Sequence, residues 1–238
     1  MSQLASIEWW NQALTEVGIQ SMDKEVGTGD TWHRLLRSGQ RDLELAQSIT
    51  GMQTGKDRSV LEVGCGLGRM SASLADRFGY VLGIDIAPTL IERAREQNLR
   101  PNVHFELGDG VHLCPTSRTA FDSVFSYEVF YYLTADSLKT YIADLSRLVK
   151  PGGQFVFQMN LVPIRWTTRV AMFARRVLYA CGIKQWRGWS TGAGLRRYYH
   201  SERWLRATLS QHGFHVNSIS GPSLQQTWIV ATRTAPSK

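Results

Sequence analysis

The stretch VLEVGCGLGRM, residues 60–70, sets glycines at every second position, Gly64, Gly66 and Gly68, directly behind an apolar run that carries one acid, Glu62. Glycine lets a backbone turn tightly and approach a ligand closely, and the helix that follows such a turn presents free N–H groups to it. The stretch therefore reads as the first strand, turn and helix of a nucleotide-type α/β unit. Two charged residues narrow the choice of ligand. A carboxylate at Glu62 would repel a pyrophosphate, and Arg69 stands where a dinucleotide fingerprint wants its third glycine. A cofactor with positive charge and no phosphate suits this turn better.

Working outward, strands and helices alternate from Arg58. RSVLEV (58–63) reads as a strand, GRMSASLADRFG (68–79) as a helix, YVLGID (80–85) as a strand, APTLIERAREQN (87–98) as a helix, and NVHFEL (102–107) and FDSVFSY (121–127) as strands. TADSLKTYIADLSRLVK (134–150) then reads as a helix, and PGGQFVFQMN (151–160) as a strand announced by Pro151-Gly152-Gly153. Continuous apolar strands between amphipathic helices are the pattern of a parallel sheet covered on both faces. Upstream, SIEWWNQALTEVG (6–18) and GDTWHRLLRSGQRDLELAQSITG (29–51) read as helices, the second with Asp30 as N-cap. Downstream, SERWLRATLSQHG (201–213) reads as a helix capped by Ser201, before two strands, FHVNSIS and QQTWIVATR, close enough to pair antiparallel. The chain is thus expected to be one domain over 1–238: a helical cap (1–57), a cofactor-binding core (58–160), a basic helical insert (161–200), and a last helix with a strand pair (201–238).

In an open α/β sheet a ligand sits beyond the carboxyl ends of the strands, where strand order reverses. Four such ends are chemically loaded here: the glycine turn, Asp85 closing the second strand, Asp109 in GDG after the third, and Ser126-Tyr127-Glu128 after the fourth. An acid at the end of the second strand can accept from both hydroxyls of a ribose.

Taken in order, LEVGCGLGR, GIDIAPTLIERAR, FELGDG, FDSVFSYEVFYYL and LSRLVKPGGQFVF resemble the five motifs of the class I S-adenosylmethionine-dependent methyltransferases, over about Arg58 to Asn160. The resemblance implies a Rossmann-like seven-stranded sheet in the order 3-2-1-4-5-7-6, mostly parallel with the last strand antiparallel. It implies S-adenosylmethionine as cofactor. Gly64, Cys65, Gly66 and Gly68 would then pass under its methionine part, and Glu62 would anchor the turn and face the ammonium side. Asp85 would bind the ribose hydroxyls, Ile86 would pack on the adenine, Asp109 would accept from the adenine amino group with Gly110 beside it, and Ser126 would lie near the sulfonium. Arg69 and Trp32 are candidates for the cofactor carboxylate or for the lid over it. Cys65 reads as a small turn residue and not as a nucleophile.

Methyl transfer from a sulfonium needs a base only where the acceptor loses a proton, as a hydroxyl does. Glu128, after the fourth strand, and His200, ahead of a helix, are the candidate catalytic residues. The other histidines show no ligand spacing, so no metal is expected. Ser-Tyr-Glu in the fourth motif is not the Asn-Pro-Pro-Tyr type by which related enzymes hold amino groups of nucleic-acid bases, so DNA is not an expected substrate.

The net charge is +7, and of 27 Lys and Arg against 20 Asp and Glu, ten bases and one acid fall between Leu161 and Arg206, leaving the remainder slightly acidic. If PIRWTTRVAMFARRVLYACG (163–182) is helical, Trp166, Val170, Phe173 and Val177 share a stripe flanked by Arg165, Arg169 and Arg176. Three readings follow: a lid packing its stripe on the crevice, which is the default; an interfacial helix on anionic lipid at the inner membrane surface; or a cradle for phosphate or RNA. The expected acceptor is a small or lipid-like, anionic or amphipathic molecule methylated on oxygen. A methyltransferase-fold scaffold bound to a membrane or RNA, an RNA methyltransferase and, last, a nicotinamide-dependent oxidoreductase are the alternatives. Three scattered cysteines and no apolar stretch long enough to span a bilayer lead to the expectation of a cytoplasmic protein. Neither composition nor motif speaks to the oligomeric state.

Overall fold

A computed structural model describes residues 32–115, 120–161, 166–183, 185–186, 189–190, 198–221 and 227–235. The first expected helix, Asp30 and Arg165 lie outside the described residues. In chain order the elements are α1 (Trp32–Thr50), β1 (Gly55–Val63), α2 (Arg69–Ala75), β2 (Phe78–Asp85), α3 (Pro88–Gln97), β3 (Val103–Leu107) and β4 (Phe121–Ser126). A 3-10 turn (Phe130–Tyr132), α4 (Ala135–Leu148), β5 (Val149–Met159), α5 (Trp166–Ala180), α6 (Glu202–Gln211), β6 (Phe214–Ser220) and β7 (Thr227–Arg233) complete the set. A two-residue antiparallel ladder, Gln185–Trp186 with Trp189–Ser190, stands apart.

The strands form one sheet in the order β3-β2-β1-β4-β5-β7-β6, with β7 antiparallel to both neighbours and the other pairings parallel. This is the order expected from the resemblance. Side chains alternate across each strand, so the sheet builds two cores. On one face Leu61, Val63, Leu82, Val124, Phe155 and Phe157 pack under α4 and α6. On the other, Val60, Val81, Phe105, Phe125 and Val156 pack under α1, α2 and α3. Strand order reverses between β1 and β4, which puts the glycine turn and the Ser126-Tyr127-Glu128 segment side by side at the switch point.

Several elements differ from the sequence reading: β1 begins at Gly55 and not at Arg58, and the expected helical insert also holds the two-residue ladder. Helix α2 ends at Ala75, short of the expected Gly79, because β2 already begins at Phe78 to pair with β1 at Gly55. Strand β5 begins at Val149, ahead of Pro151-Gly152-Gly153: Val149 pairs with Phe121, and the turn residues with Gly152 at φ 78° form an irregularity inside the strand.

Helix α1 docks on the start of α2 through Gly39, where an added Cβ would stand 2.5 Å from the Arg69 carbonyl oxygen. Helix propensity alone favours alanine at such a site by up to about 1 kcal/mol. The backbone clash outweighs it, so Gly39→Ala is expected to lower stability by about 1 to 3 kcal/mol. Urea unfolding checks this as a lower midpoint at an unchanged slope.

Candidate active site

The four loaded strand ends are stitched to one another by main-chain and side-chain hydrogen bonds. Gly64 and Cys65 N–H donate to the Ile84 carbonyl at 2.7 and 3.1 Å, and Gly66 N–H donates to Asp85 Oδ2 at 2.8 Å. Gly108 N–H donates to the Asp85 carbonyl at 2.8 Å, and the buried Ser126 hydroxyl donates to the Val63 carbonyl at 2.8 Å. The ends of β1, β2, β3 and β4 therefore move as one unit.

The turn between β1 and α2 needs its glycines. Gly64, Gly66 and Gly68 have φ of 77°, 54° and 80°, the left-handed region that costs other residues about 1 to 2 kcal/mol. A Cβ on Gly64 would also fall 2.2 Å from a methyl of Val129, so the turn lies directly against the segment after β4. Gly68, the N-cap of α2, has no side chain with which to cap the helix, so the first turn of α2 opens on the glycine turn without a side-chain cap. Cys65 is buried and its thiol is pushed well up by desolvation, so it stays protonated and is no nucleophile.

Glu62 is buried beneath this turn, where the Ser71 hydroxyl of α2 donates to Oε2. Burial pushes its pKa up to about 8, against the smaller opposing pull of Ser71 and Arg69. The electrostatic argument from the sequence is thereby corrected: at neutral pH Glu62 is a protonated anchor for α2, not a standing anion beside the turn. A cation arriving above it would draw the proton off. Asp85 is also buried and its pKa is raised by desolvation, against the N–H donors of Gly66, Ala87 and Ile86. Oδ2 holds Gly66 and Oδ1 accepts from Ala87 N–H at 3.0 Å, and a carboxylate oxygen has a second lone pair left for a hydroxyl. Ile86 is half-buried at the start of the following loop.

Arg69 is placed differently from the candidate role given it above. Its guanidinium is buried, pairs with Asp42 Oδ2 of α1 at 2.7 Å and lies over the Tyr127 ring at 5.2 Å, so its charge is taken up in tying α1 to the switch point. Trp32 packs, half-buried, against a small cluster of Leu35, Leu67, Ala87 and Leu90, which joins α1 to the glycine turn and the loop after Asp85. Asp109 is exposed, and its Oδ1 accepts from Val111 and His112 N–H, both at 2.7 Å, which closes a local turn around Gly110 at φ 74°. Ser126 has its hydroxyl committed to Val63.

Glu128 directly follows the switch-point segment at the end of β4, and His200 lies against Leu133, five residues further on. Glu128, at φ 59°, is the one non-glycine residue with positive φ among the described residues, and such strain persists where surroundings over-determine it, often at functional sites. His200 is buried, stacks on Trp204 at 4.9 Å and contacts the Leu133 carbonyl through Nε2 at 3.1 Å. A carbonyl only accepts, so Nε2 carries the proton and Nδ1 is left as the basic nitrogen. Desolvation lowers the His200 pKa more than this bond raises it. Tyr198 N–H donates to the Tyr131 carbonyl at 2.7 Å, so the end of the insert is laced to the segment that follows Glu128.

Sequence reasoning missed Asp42 and Asp144, and it gave Tyr127, though on a loaded strand end, no role of its own. Asp144, buried in α4, accepts from Leu113 N–H at 2.9 Å, meets His112 Nδ1 at 3.2 Å and pairs with Arg147, which pins the chain after Asp109-Gly110. One signal was available: Asp144 falls on the apolar stripe of α4 with Tyr141 and Leu148, where an acid needs a partner.

A family model described as a methyltransferase domain matches residues 60–153. That match and the strand order support a class I S-adenosylmethionine-dependent methyltransferase. The chain is similar to Nodulation protein S of Rhizobium tropici, 26% identical over 145 residues that make up 60% of each chain. It is also similar to tocopherol O-methyltransferase of Arabidopsis thaliana, 29% identical over 146 residues, 58% of this chain and 41% of that one. The chain thus spans less than two thirds of the length of these curated relatives. Magnesium protoporphyrin IX methyltransferase from Synechocystis PCC 6803, solved with S-adenosylhomocysteine, shares the fold at a TM-score of 0.64 and 19% identity, over 98% of this chain and 100% of that one. S-adenosylmethionine is the family's cofactor, and the turn fits it: bare left-handed backbone, a helix start without a side-chain cap, a ribose-type acid and a second, protonatable acid beneath.

Proposed function

We propose that the protein methylates a hydroxyl of a small amphipathic acceptor at this crevice. S-adenosylmethionine, when bound, supplies a methyl already activated for in-line displacement, so the chain's own work is to hold the acceptor and take its proton. His200 fits the second task best of the two candidates. Its tautomer is fixed by the Leu133 carbonyl, its lowered pKa keeps it neutral at physiological pH, and Nδ1 is the nitrogen free to accept. This is the observation that carries the reading. To Glu128, on the strained turn after β4, we assign the orienting of the acceptor, a role that its positive φ supports. The names of the tocopherol and magnesium protoporphyrin relatives support an acceptor with a large apolar body.

The test is transfer of labelled methyl from S-adenosylmethionine to a panel of phenolic and other hydroxyl compounds. His200→Gln is expected to lower kcat at least a hundredfold and to remove the acid limb of the pH profile, a limb placed below the ordinary histidine range, with cofactor affinity unchanged. A variant that keeps the wild-type rate and acid limb removes His200 from the mechanism.

A further inference from the structure

Helix α5 leaves its apolar stripe uncovered. Trp166, Val170, Phe173 and Val177 are 75%, 56%, 68% and 45% exposed, and Ile183 beyond the helix continues the exposed surface. Of the α5 side chains that are described, Leu178 alone is even partly buried. The default expectation, a lid with its stripe packed on the crevice, is therefore not what the structure contains: no described element covers these four residues. A contiguous exposed stripe with aromatic residues at one end and the middle is costly in water and marks an interaction surface.

Charge decides among the occupants. The segment from Leu161 to Arg206 holds ten bases and one acid, in a chain otherwise slightly acidic. In the helical register, positions 169 and 176, both arginine, fall on one flank of the stripe, and position 175, also arginine, falls opposite it. A second copy of this chain would bring the same positive excess against itself across the two-fold axis, and like charges repel there. An anionic bilayer complements both properties at once: its acyl boundary takes up apolar residues, and its phosphates attract the bases of the same segment. No described helix is long and apolar enough to cross a membrane, so the geometry is that of a helix lying on the surface. The joint to the body is also in place, because the insert returns through Tyr198 and His200, bonded to the Tyr131 and Leu133 carbonyls beside the crevice.

We infer that α5 docks the protein on anionic lipid, with the stripe Trp166, Val170, Phe173 and Val177 inserted into the surface. Docked so, the crevice is tethered through the insert to the phase in which an amphipathic acceptor dissolves. The inference deepens the proposed function but rests on the exposed stripe and the charge, not on the acceptor.

Co-sedimentation of the full chain tests it, with vesicles of equal parts phosphatidylglycerol and phosphatidylcholine against pure phosphatidylcholine. Measurements run at about 0.1 M and about 1 M salt, between which the screening length falls from about 10 to about 3 Å. Binding is expected to the anionic vesicles, weaker at high salt and weaker still to pure phosphatidylcholine. The double variant Val170→Glu, Phe173→Glu is expected to lose roughly ten- to hundredfold in affinity, from two apolar side chains that no longer insert. Both side chains are exposed, so its affinity for S-adenosylhomocysteine serves as the control for folding. Absence of vesicle binding, binding indifferent to the double variant, binding to RNA in place of vesicles, or a stripe-dependent dimer that ignores vesicles would each overturn the inference. Vesicle binding without S-adenosylhomocysteine binding would instead strike the functional reading and leave this one standing.

Discussion

Gly64→Ala is expected to abolish detectable cofactor binding and to lower stability by about 2 to 5 kcal/mol. Two costs add. The residue sits at φ 77°, where a Cβ costs about 1 to 2 kcal/mol, and that Cβ would stand 2.2 Å from a Val129 methyl, an overpacking that costs about 1 to 3 kcal/mol more. The strain relaxes by shifting Val129 or the glycine turn, and either shift disturbs the switch point where the cofactor is expected to bind. Gly152→Ala separates the two costs. Gly152 shares the conformation, at φ 78°, but an added Cβ there meets nothing within 4 Å, so this variant should lose only the conformational part, about 1 to 2 kcal/mol, and keep its affinity. Chemical unfolding and calorimetry on the two variants check the account. Equal losses would mean that the Val129 contact does not matter.

Glu62→Gln is expected to make the protein more stable at alkaline pH while weakening its hold on the cofactor. The Glu62 pKa rises from 4.5 to about 8 on folding, chiefly through desolvation. A raised folded pKa means that the native chain keeps a proton the unfolded chain releases. The stability this proton confers is complete below about pH 4.5 and is lost progressively as pH climbs through 8. Over that interval the loss is on the order of 5 kcal/mol. Glutamine is neutral throughout, so the variant should match wild type near pH 4 and exceed it near pH 9, by an increment of that order. The cofactor reverses the comparison. A bound sulfonium amino acid favours the ionised carboxylate, so binding near pH 7 should release a proton from wild type and none from the variant, a difference visible in calorimetry in buffers of different ionisation enthalpy. Unfolding free energies that run parallel for the two proteins across this pH range would show that Glu62 is ionised when folded.

Much of this arrangement was legible in the sequence because it is written in local chemistry. The period of the apolar residues distinguishes strands from helices, and the spacing of Gly64, Gly66 and Gly68 marks a turn whose backbone conformation few other residues adopt. Asp85 was legible because an acid that ends a buried strand has nowhere to point but the crevice. What stayed hidden depends on distance along the chain. Arg69 and Asp42 are 27 residues apart and meet only once α1 folds across the start of α2. Asp144 reaches the third motif from 31 residues beyond Leu113, through a helix on the other face of the sheet from α2. The charge state of Glu62 was misread for the same reason: composition shows an acid, whereas protonation follows from the depth at which the fold buries it. The α5 stripe is the converse case. Its period was plain, but periodicity states that a face wants cover and does not state by what.

The central claim is that the turn from Gly64 to Gly68, with Asp85 and Glu62, binds a sulfonium amino acid nucleoside and not a dinucleotide. Isothermal calorimetry of the full chain with S-adenosylhomocysteine, S-adenosylmethionine and a nicotinamide dinucleotide tests it most directly. One site per chain for the first two ligands, weakened at least tenfold by Asp85→Asn, and no heat from the dinucleotide is the predicted result. Saturable binding of the dinucleotide with none of S-adenosylhomocysteine would contradict it.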